Sequence, residues 1–221
     1  MSFRTLWLSL AVAAVFGLCG CATHNPYDYA NFRAHTPRSI LVLPPINEST
    51  DTRGTYGYLS TATRPIAEKG YYVFPVAEVD EMMKENGLPT AGEMQQVSLD
   101  KLREIIGADA VLYVTLKQYG TKYQLISSTT YVTADAKLVD TLTGTTLWDG
   151  NVNVAQDSGS SSSGNPLADL VADLVVASVN QVVASSADHA HDVSRLANAQ
   201  LFMNKDRGLL YGPYMPASQQ H

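Results

Sequence analysis

The pattern of hydrophobic and polar positions predicts a strand, a helix and a second strand at the start of the folded region. Residues 39–43 form a continuous apolar run, which is typical of a strand buried on both faces. Residues 57–69 have helical spacing and end at Gly70, although Pro65 is unusual inside a helix. Residues 71–76 read as the second strand. This order predicts a βαβ unit with a right-handed crossover.

Two short amphipathic helices are predicted after the βαβ unit. The first covers residues 77–86 and is acidic. Its expected inward positions are Val79, Met82 and Met83. The second covers residues 99–106, with Ser98 as the expected N-cap. Its expected apolar face consists of Leu102, Ile105 and Ile106.

Alternating residues then predict an antiparallel meander. Residues 110–117 are apolar on one side and polar or aromatic on the other, as in a strand with one buried face. The apolar positions are Leu112, Val114 and Leu116. Residues 132–138 repeat the pattern, and a turn at Gly144 leads to a last strand over 147–154.

The C-terminal part alternates between polar segments and helices. Residues 156–165 are a Ser/Gly loop, and residues 167–186 carry an apolar stripe at helical spacing. That stripe either packs on the chain's own sheet or serves an oligomer or membrane surface. A polar helix over 188–203 and an extended tail over 204–221 follow. We therefore predict a single α/β domain over 39–203, in which helices flank a mixed sheet.

The N-terminus has the three parts of a secretory signal. Arg4 gives a positive start, residues 6–18 are apolar, and small residues follow. The ending Leu-Cys-Gly-Cys resembles the lipobox of bacterial lipoproteins, in which cleavage precedes a lipid-modified cysteine. By this resemblance residues 1–20 are a signal peptide and Cys21 carries the acyl chains. An ordinary signal peptide or an uncut membrane anchor is the alternative.

The segment after the cysteine is expected to be a flexible tether. Residues 21–38 contain two prolines and show no apolar periodicity. By analogy with lipoprotein sorting, Ala22 in place of Asp favours the outer membrane over the inner one. We therefore expect a lipid-anchored protein of the bacterial outer membrane, with its domain facing the periplasm.

Composition and charge narrow the function classes. The chain has 221 residues, 45% of them hydrophobic, and a formal net charge of −6. This acidity argues against a polybasic nucleic-acid binder, so no nucleic-acid partner is expected. Cys19 and Cys21 are the two cysteines, and both lie at the N-terminus. No disulfide framework and no cysteine-based zinc site are therefore predicted.

The catalytic motifs that the chain could carry are weak or missing. It contains no nucleotide-binding glycine loop and no HExxH sequence. His189 and His191 are two residues apart, so on a helix they point to nearly opposite sides. Ser98 and Lys101 match an SxxK motif, but its companion motifs SDN and KTG are absent. We therefore expect no catalytic residues, no metal ligands and no cofactor.

Two other features are candidate binding surfaces. Four tyrosines fall on or near the polar side of adjacent strands, where they either form cross-strand pairs or present a surface to a partner. They are Tyr113, Tyr119, Tyr123 and Tyr131. The loop from Pro44 to Gly54 follows a strand, and loops in this position often bind ligands.

Several segments together resemble a family of bacterial lipoproteins of unknown function, best known from a neisserial surface-antigen candidate. The likeness covers residues 38–155 well, and it lies in SILVLPPINEST, GYYVFPVAEVDEMMKENGLPT, GADAVLYVTLKQYGTKYQLISS and AKLVDTLTGTTLWDG. The fold of this family is similar to the N-terminal domain of the Tol-system periplasmic protein and to the periplasmic domain of the curli-secretion lipoprotein CsgG. The resemblance implies no enzymatic activity and no catalytic residues.

These observations lead to one expected function and two alternatives. The expected function is a non-enzymatic scaffold in an envelope assembly or transport-associated complex, with other envelope lipoproteins as partners, CsgG-like ones among them, or with further copies of itself. One alternative is a surface-exposed antigen or adhesin. The other is an envelope hydrolase, which would need a nucleophile that the motifs do not supply.

Overall fold

The computed structural model describes residues 26–123, 128–157 and 189–216, together with Ser218. Several predictions concern residues outside these ranges: the signal peptide 1–20, lipidation at Cys21, most of the loop 156–165 and the helix over 167–186. The side chain of Tyr123 also lies outside the description. Among the helices of the described residues, none is long and apolar enough to cross a membrane.

The described residues form a mixed sheet flanked by helices. The helices are α1 (Ala30–Ala34), α2 (Gly54–Glu68), α3 (Val76–Glu85), α4 (Ala91–Met94), α5 (Leu99–Ile106) and α6 (His189–Met203). The strands are β1 (Ser39–Val42), β2 (Ile46–Asn47), β3 (Tyr72–Val73), β4 (Ala110–Tyr123), β5 (Ser128–Asp140) and β6 (Thr146–Asp157). The sheet order is β3-β1-β4-β5-β6, and β2 also pairs with β4. The sheet does not close into a barrel, and the predicted single α/β domain is confirmed.

The βαβ unit and the meander are both present. β1 pairs in parallel with β3 and with β4, and the helix α2 connects β1 to β3. β4, β5 and β6 are antiparallel neighbours. The second strand is much shorter than the predicted 71–76, because Pro75 cannot donate to a strand ladder and instead becomes the N-cap of α3.

The core lies between one face of the sheet and the helices α2 and α6. Among its largest fully buried side chains are Phe32, Tyr58, Trp148 and Phe202. A smaller apolar cluster on the opposite face, which we call the outer face, joins α3, α4 and α5 to β1 and the start of β4. Helices therefore cover one face broadly and the outer face only in part.

The predicted helix over 188–203 is confirmed as α6, but the prediction that it is polar is wrong. It buries seven side chains at three-and-four spacing: Ala190, Val193, Ser194, Ala197, Asn198, Leu201 and Phe202. Small and polar residues in this stripe hide its periodicity. Asn198 Nδ2 donates to Thr61 Oγ1 at 2.8 Å, so a buried polar contact connects α6 to α2.

Two predictions about α5 also need correction. Ile105 is 66% exposed, whereas Leu102 is buried. Residues 99, 102 and 106 form the stripe that faces the sheet, and residue 105 points well to one side of it at 100° per residue. Ser98 occupies the N-cap position, but its side chain makes no capping hydrogen bond.

Both ends of the described chain pack on the domain. Residues 26–38 belong to the folded structure rather than to a flexible tether, because their aromatic side chains enter the core: Phe32 is fully buried, and buried Tyr29 donates to the carbonyl of Gly208 at 2.6 Å. The C-terminal residues return to the start of β3. There Gly212 N–H donates to Lys69 O at 2.7 Å.

Candidate functional site

The four tyrosines do not form one surface. β4 and β5 pair regularly up to Leu116, but the register shifts between Leu116 and Gln118. This bulge brings Tyr119 to the same face as Leu116, where it is only 5% exposed and belongs to the core. The prediction that Tyr119 lies on the polar side is wrong, since strict alternation fails where a strand has an extra residue.

Tyr113 and Tyr131 do share the outer face, but they are far apart. Tyr113 pairs with Lys137 across the strands, and Tyr131 is six residues from Lys137 along β5. At about 3.3 Å per residue the separation is roughly 20 Å. Tyr113 packs against the smaller apolar cluster, and burial raises its pKa. Tyr131 instead has the ammonium group of Lys122 5.0 Å from its ring centre.

A cavity of about 620 Å³ lies where the loop of residues 48–53 meets β4. The loop follows β2, which pairs in parallel with Thr115 and Leu116 of β4, immediately before the bulge. The other walls are residues 117–122 of β4, Tyr131 of β5 and the start of α6 at His189. The predicted loop from Pro44 to Gly54 therefore does line a cavity.

The loop of residues 48–53 is stabilised by local hydrogen bonds and by an ion pair between Asp51 and Arg53. Arg53 Nη2 and Nε contact the two carboxylate oxygens of Asp51 at 2.7 and 3.0 Å. This guanidinium lowers the pKa of Asp51. Asn47 Nδ2 donates to Asp51 O at 2.7 Å. Gly120 has φ +116°, and a Cβ at Gly120 would be 3.2 Å from Asp51 Oδ2, so glycine permits the close approach.

Both acidic side chains that line the cavity form ion pairs. Lys117 Nζ contacts Glu48 Oε2 at 2.9 Å, and the carboxylate of Asp51 already binds Arg53. A general base needs a carboxylate whose acceptor sites can reach a substrate proton. The two acidic side chains at this cavity are instead engaged by cations, and sequence reasoning had not identified either pair.

The candidate nucleophiles lie away from the cavity. Ser98 and Lys101 are exposed on α5 and its N-cap and are not part of the cavity wall. Ser60 Oγ lies 3.1 Å from His191 Nε2 on the exposed surface. Ser60 Oγ also lies 2.9 Å from Gly57 O, which competes for the same hydroxyl proton, and the direction of the contact with His191 depends on the histidine tautomer. Within the described ranges no cluster of His, Cys, Asp or Glu could hold a metal ion.

A second candidate surface is the outer face of β5 and β6. In the described part of the chain the helices of this face pack over β1 and early β4, so β5 and β6 present polar side chains. Asn151, Asn153 and Ala155 are exposed, and the alternate residues Val152 and Val154 are buried. β6 is the last strand of the sheet that the described residues form, and among these residues one of its edges has no neighbouring strand.

A polar cluster that sequence reasoning missed covers the start of this edge. Tyr27 Oη donates to Asp149 Oδ1 at 3.0 Å and accepts from Asp149 N–H at 2.9 Å. Arg207 Nη2 contacts Asp149 Oδ2 at 2.6 Å. Asn31 Nδ2 donates to Thr146 O at 3.3 Å. No local motif links these residues, because they are distant in the chain.

Comparisons with known proteins agree on one family. The family model described as "Putative lipoprotein GNA1162-like" matches residues 27–214. The chain is 43% identical over 209 residues to "Putative lipoprotein NMB1124/NMB1162" of Neisseria meningitidis serogroup B, and the match covers 93% of this chain and 95% of that protein. The crystal structure of lipoprotein GNA1162 from Neisseria meningitidis is 47% identical with a TM-score of 0.55, and the match covers 67% of this chain and all of that one.

Proposed function

The chain belongs to the GNA1162-like lipoprotein family, and on that premise we propose that it is a non-enzymatic outer-membrane lipoprotein whose domain binds other envelope proteins. Membership of a lipoprotein family indicates association with the cell envelope. Our proposal adds three points to this: anchoring through Cys21, an outer-membrane location and a domain in the periplasm. They rest on the lipobox and on Ala22.

The observation that carries the binding role is the polar outer face of β5 and β6 with its exposed edge. Its side chains are held in a regular array, since Thr133 Oγ1 donates to Asn153 Oδ1 at 3.1 Å across the strands. Non-obligate protein–protein interfaces are on average about as polar as the rest of the protein surface. A rigid polar face on a sheet is therefore a suitable docking surface, whereas the paired charges of the cavity do not suit catalysis.

Crosslinking in cells tests this proposal. Wild type and Cys21→Ala should be expressed at equal levels in the native bacterium and purified after crosslinking. We expect wild type to capture envelope proteins, CsgG-like lipoproteins among the candidates, and Cys21→Ala to lose them. Recovery of the same proteins by both variants would contradict anchored scaffolding. Globomycin should also accumulate the uncut precursor, and an unchanged band would contradict lipidation at Cys21.

The surface-antigen alternative makes a different prediction. Protease treatment of intact cells should leave a periplasmic domain undigested, with digestion after outer-membrane permeabilisation as the control. Digestion in intact cells would favour the antigen or adhesin function and would contradict the periplasmic orientation. The hydrolase alternative has Ser98 as its one formal motif residue, and activity that Ser98→Ala abolishes would support it.

The cavity supports a second candidate function, the binding of a small polar ligand. Its volume of about 620 Å³ lies in the range of small-molecule sites, and its walls carry Lys122, Tyr131 and several hydroxyl groups. A thermal-shift screen with sugars, nucleotides and phosphorylated compounds tests it. A ligand of this site should raise the melting temperature of wild type and have a smaller effect on Lys122→Ala, with Lys101→Ala as the matched control.

A further inference from the structure

The chain contains one Asn–Gly pair, Asn86–Gly87, and it lies directly after α3. Both residues are exposed, and a Cβ added at Gly87 would meet nothing within 4 Å. Asparagine is chemically unstable before glycine, because no side chain shields the glycine backbone nitrogen from the asparagine side-chain carbonyl carbon. This exposed pair is therefore a candidate site of covalent change in the protein itself.

The reaction at such a pair needs only water. The backbone nitrogen of Gly87 attacks Cγ of Asn86 and gives up its proton, the Cγ–Nδ2 bond breaks, and ammonia leaves with that proton. The product is a five-membered succinimide ring. Water then adds to one of the two ring carbonyl carbons and breaks its bond to nitrogen. The outcome is aspartate at position 86 or isoaspartate, in which the main chain continues through the former side chain.

The end of α3 holds the pair in an unreactive geometry. Asn86 has ψ 17°, so the nitrogen of Gly87 nearly eclipses the backbone nitrogen of Asn86. Ring closure requires the nitrogen of Gly87 to eclipse Cβ of Asn86 instead, which is a different rotation about the same bond. Asn86 Nδ2 also donates to Met82 O at 2.7 Å, and Gly87 N–H donates to Lys84 O at 3.0 Å. Attack therefore requires the rotation and the loss of both hydrogen bonds.

Leu88 connects this helix end to the core of the outer face. Its N–H donates to Met83 O at 3.0 Å, and its side chain packs against the smaller apolar cluster, to which buried Met83 belongs. Helix ends open locally at a lower free-energy cost than the whole domain unfolds. Opening of the α3 end requires Leu88 to leave these contacts, so Leu88 sets how often the pair reaches its reactive geometry.

We infer that Asn86–Gly87 is a deamidation site whose rate is set by local opening of the C-terminal end of α3, and that the product keeps this end open. Either product adds a negative charge beside Glu85 at the C-terminal end of the helix, where the helix dipole disfavours it. Isoaspartate also lengthens the main chain by a carbon atom, which moves the N–H groups of Gly87 and Leu88 away from their acceptors. This inference is independent of the proposed function.

The experiment incubates the purified lipoprotein in mildly alkaline detergent buffer, with and without guanidinium chloride. Trypsin releases the peptide of residues 85–101, and mass spectrometry with fragmentation quantifies the conversion of Asn86 to aspartate and isoaspartate. We expect conversion to be about tenfold or more slower in the folded than in the unfolded protein, because local opening costs free energy. Equal rates would overturn control by the helix end, and no conversion in the unfolded chain would overturn the site.

Variants separate the helix end from the intrinsic chemistry. Leu88→Ala leaves the Asn–Gly pair intact, so it should raise the rate in the folded protein severalfold and leave the rate in guanidinium unchanged. Ile105→Ala, at an exposed apolar position of α5, is the matched control and should change neither rate. A folded Leu88→Ala protein that reacts at the wild-type rate would overturn the inference.

A variant that imitates one product tests the second part of the inference. Asn86→Asp should speed amide exchange at Gly87 and Leu88, measured by NMR, because it places the new charge at the helix end. Asn86→Gln is the uncharged control, and its longer side chain closes the corresponding ring much more slowly. Equal exchange in the two variants would overturn the claim that the product keeps the helix end open.

Discussion

The two edges of the sheet are protected in different ways. β3 contributes only two residues, Tyr72–Val73, and the C-terminal segment packs beside it. There Gly212 N–H donates to Lys69 O at 2.7 Å, and Tyr214 N–H donates to Gly70 O at 3.1 Å. β6 has 12 residues, and among the described residues Tyr27 and α1 cover its first part.

This difference shows where the fold leaves room for a partner. A two-residue edge offers too few backbone groups to pair with another chain, and the tail narrows access further. The edge of β6 is long, and in the part of the chain that the structure describes its second half has no cover. Within the described ranges, the C-terminal segment therefore protects one edge, and the N-terminal segment protects the start of the other.

Replacing the buried Trp148, at the start of β6, should have the largest effect on stability. Trp148 is fully buried, its ring centre is 5.8 Å from that of Phe202, and its Nε1 donates to Arg207 O at 2.7 Å. Trp148→Ala should lower the free energy of unfolding by about 3–5 kcal/mol, as for other large-to-small aromatic substitutions. Urea denaturation followed by circular dichroism measures it. A loss below about 1 kcal/mol would mean that this strand end does not depend on the core.

Gly70→Ala should weaken the packing of the C-terminal segment beside β3. Gly70 has φ +85°, and an added Cβ would be 2.5 Å from Met215 N. Gly87 has φ +81° with nothing within 4 Å of an added Cβ, so Gly87→Ala isolates the cost of backbone strain. We expect about 1 kcal/mol for Gly87→Ala and 1–2 kcal/mol more for Gly70→Ala, with faster proteolysis of the tail. Equal losses would show that the tail contact is not tight.

Tyr27→Phe should weaken the contact between the N-terminal segment and the start of β6. The substitution removes both hydrogen bonds of Tyr27 Oη to Asp149 but keeps the ring, which lies 5.1 Å from the Arg207 guanidinium carbon. We expect a loss of about 1 kcal/mol and faster amide exchange at Asp149, measured by NMR. Tyr214→Phe, on an exposed ring, is the control. Unchanged exchange at Asp149 would contradict the hydrogen bond from its N–H to Tyr27 Oη.

The smallest effect is a pH dependence at the β3 edge. Burial lowers the pKa of Lys69, whose ammonium lies 4.4 Å from the centre of the Tyr211 ring. The unfolded chain therefore binds more protons than the folded one as pH approaches the ordinary lysine pKa, so stability rises with pH in that window. Urea titrations of wild type and Lys69→Met from pH 7.5 to 9.5 should show this rise in wild type alone. A parallel response in both proteins would assign it to other groups.

Local sequence patterns were sufficient to predict most strands of the sheet, but they did not predict the candidate binding surfaces. The alternation of residues 110–117 and 132–138 identifies two strands and their buried faces correctly. It cannot show the bulge after Leu116, which results from pairing with β5 and turns Tyr119 inward. The sequence signal Thr90-x-x-Glu93 could have identified the capping box of α4, whose two reciprocal hydrogen bonds are present.

The sequence by itself determined the strand–helix order, the mixed α/β class, the lipobox resemblance and the family likeness, because each depends on residues that are near one another in the chain. Only the tertiary structure decided that Phe32 and α6 belong to the core and that Tyr27 reaches Asp149. It also decided that Tyr27 and Asn31 cover the start of the β6 edge. These features depend on contacts between distant residues, and burial and backbone pairing across such distances leave no periodic signal in a single stretch of sequence.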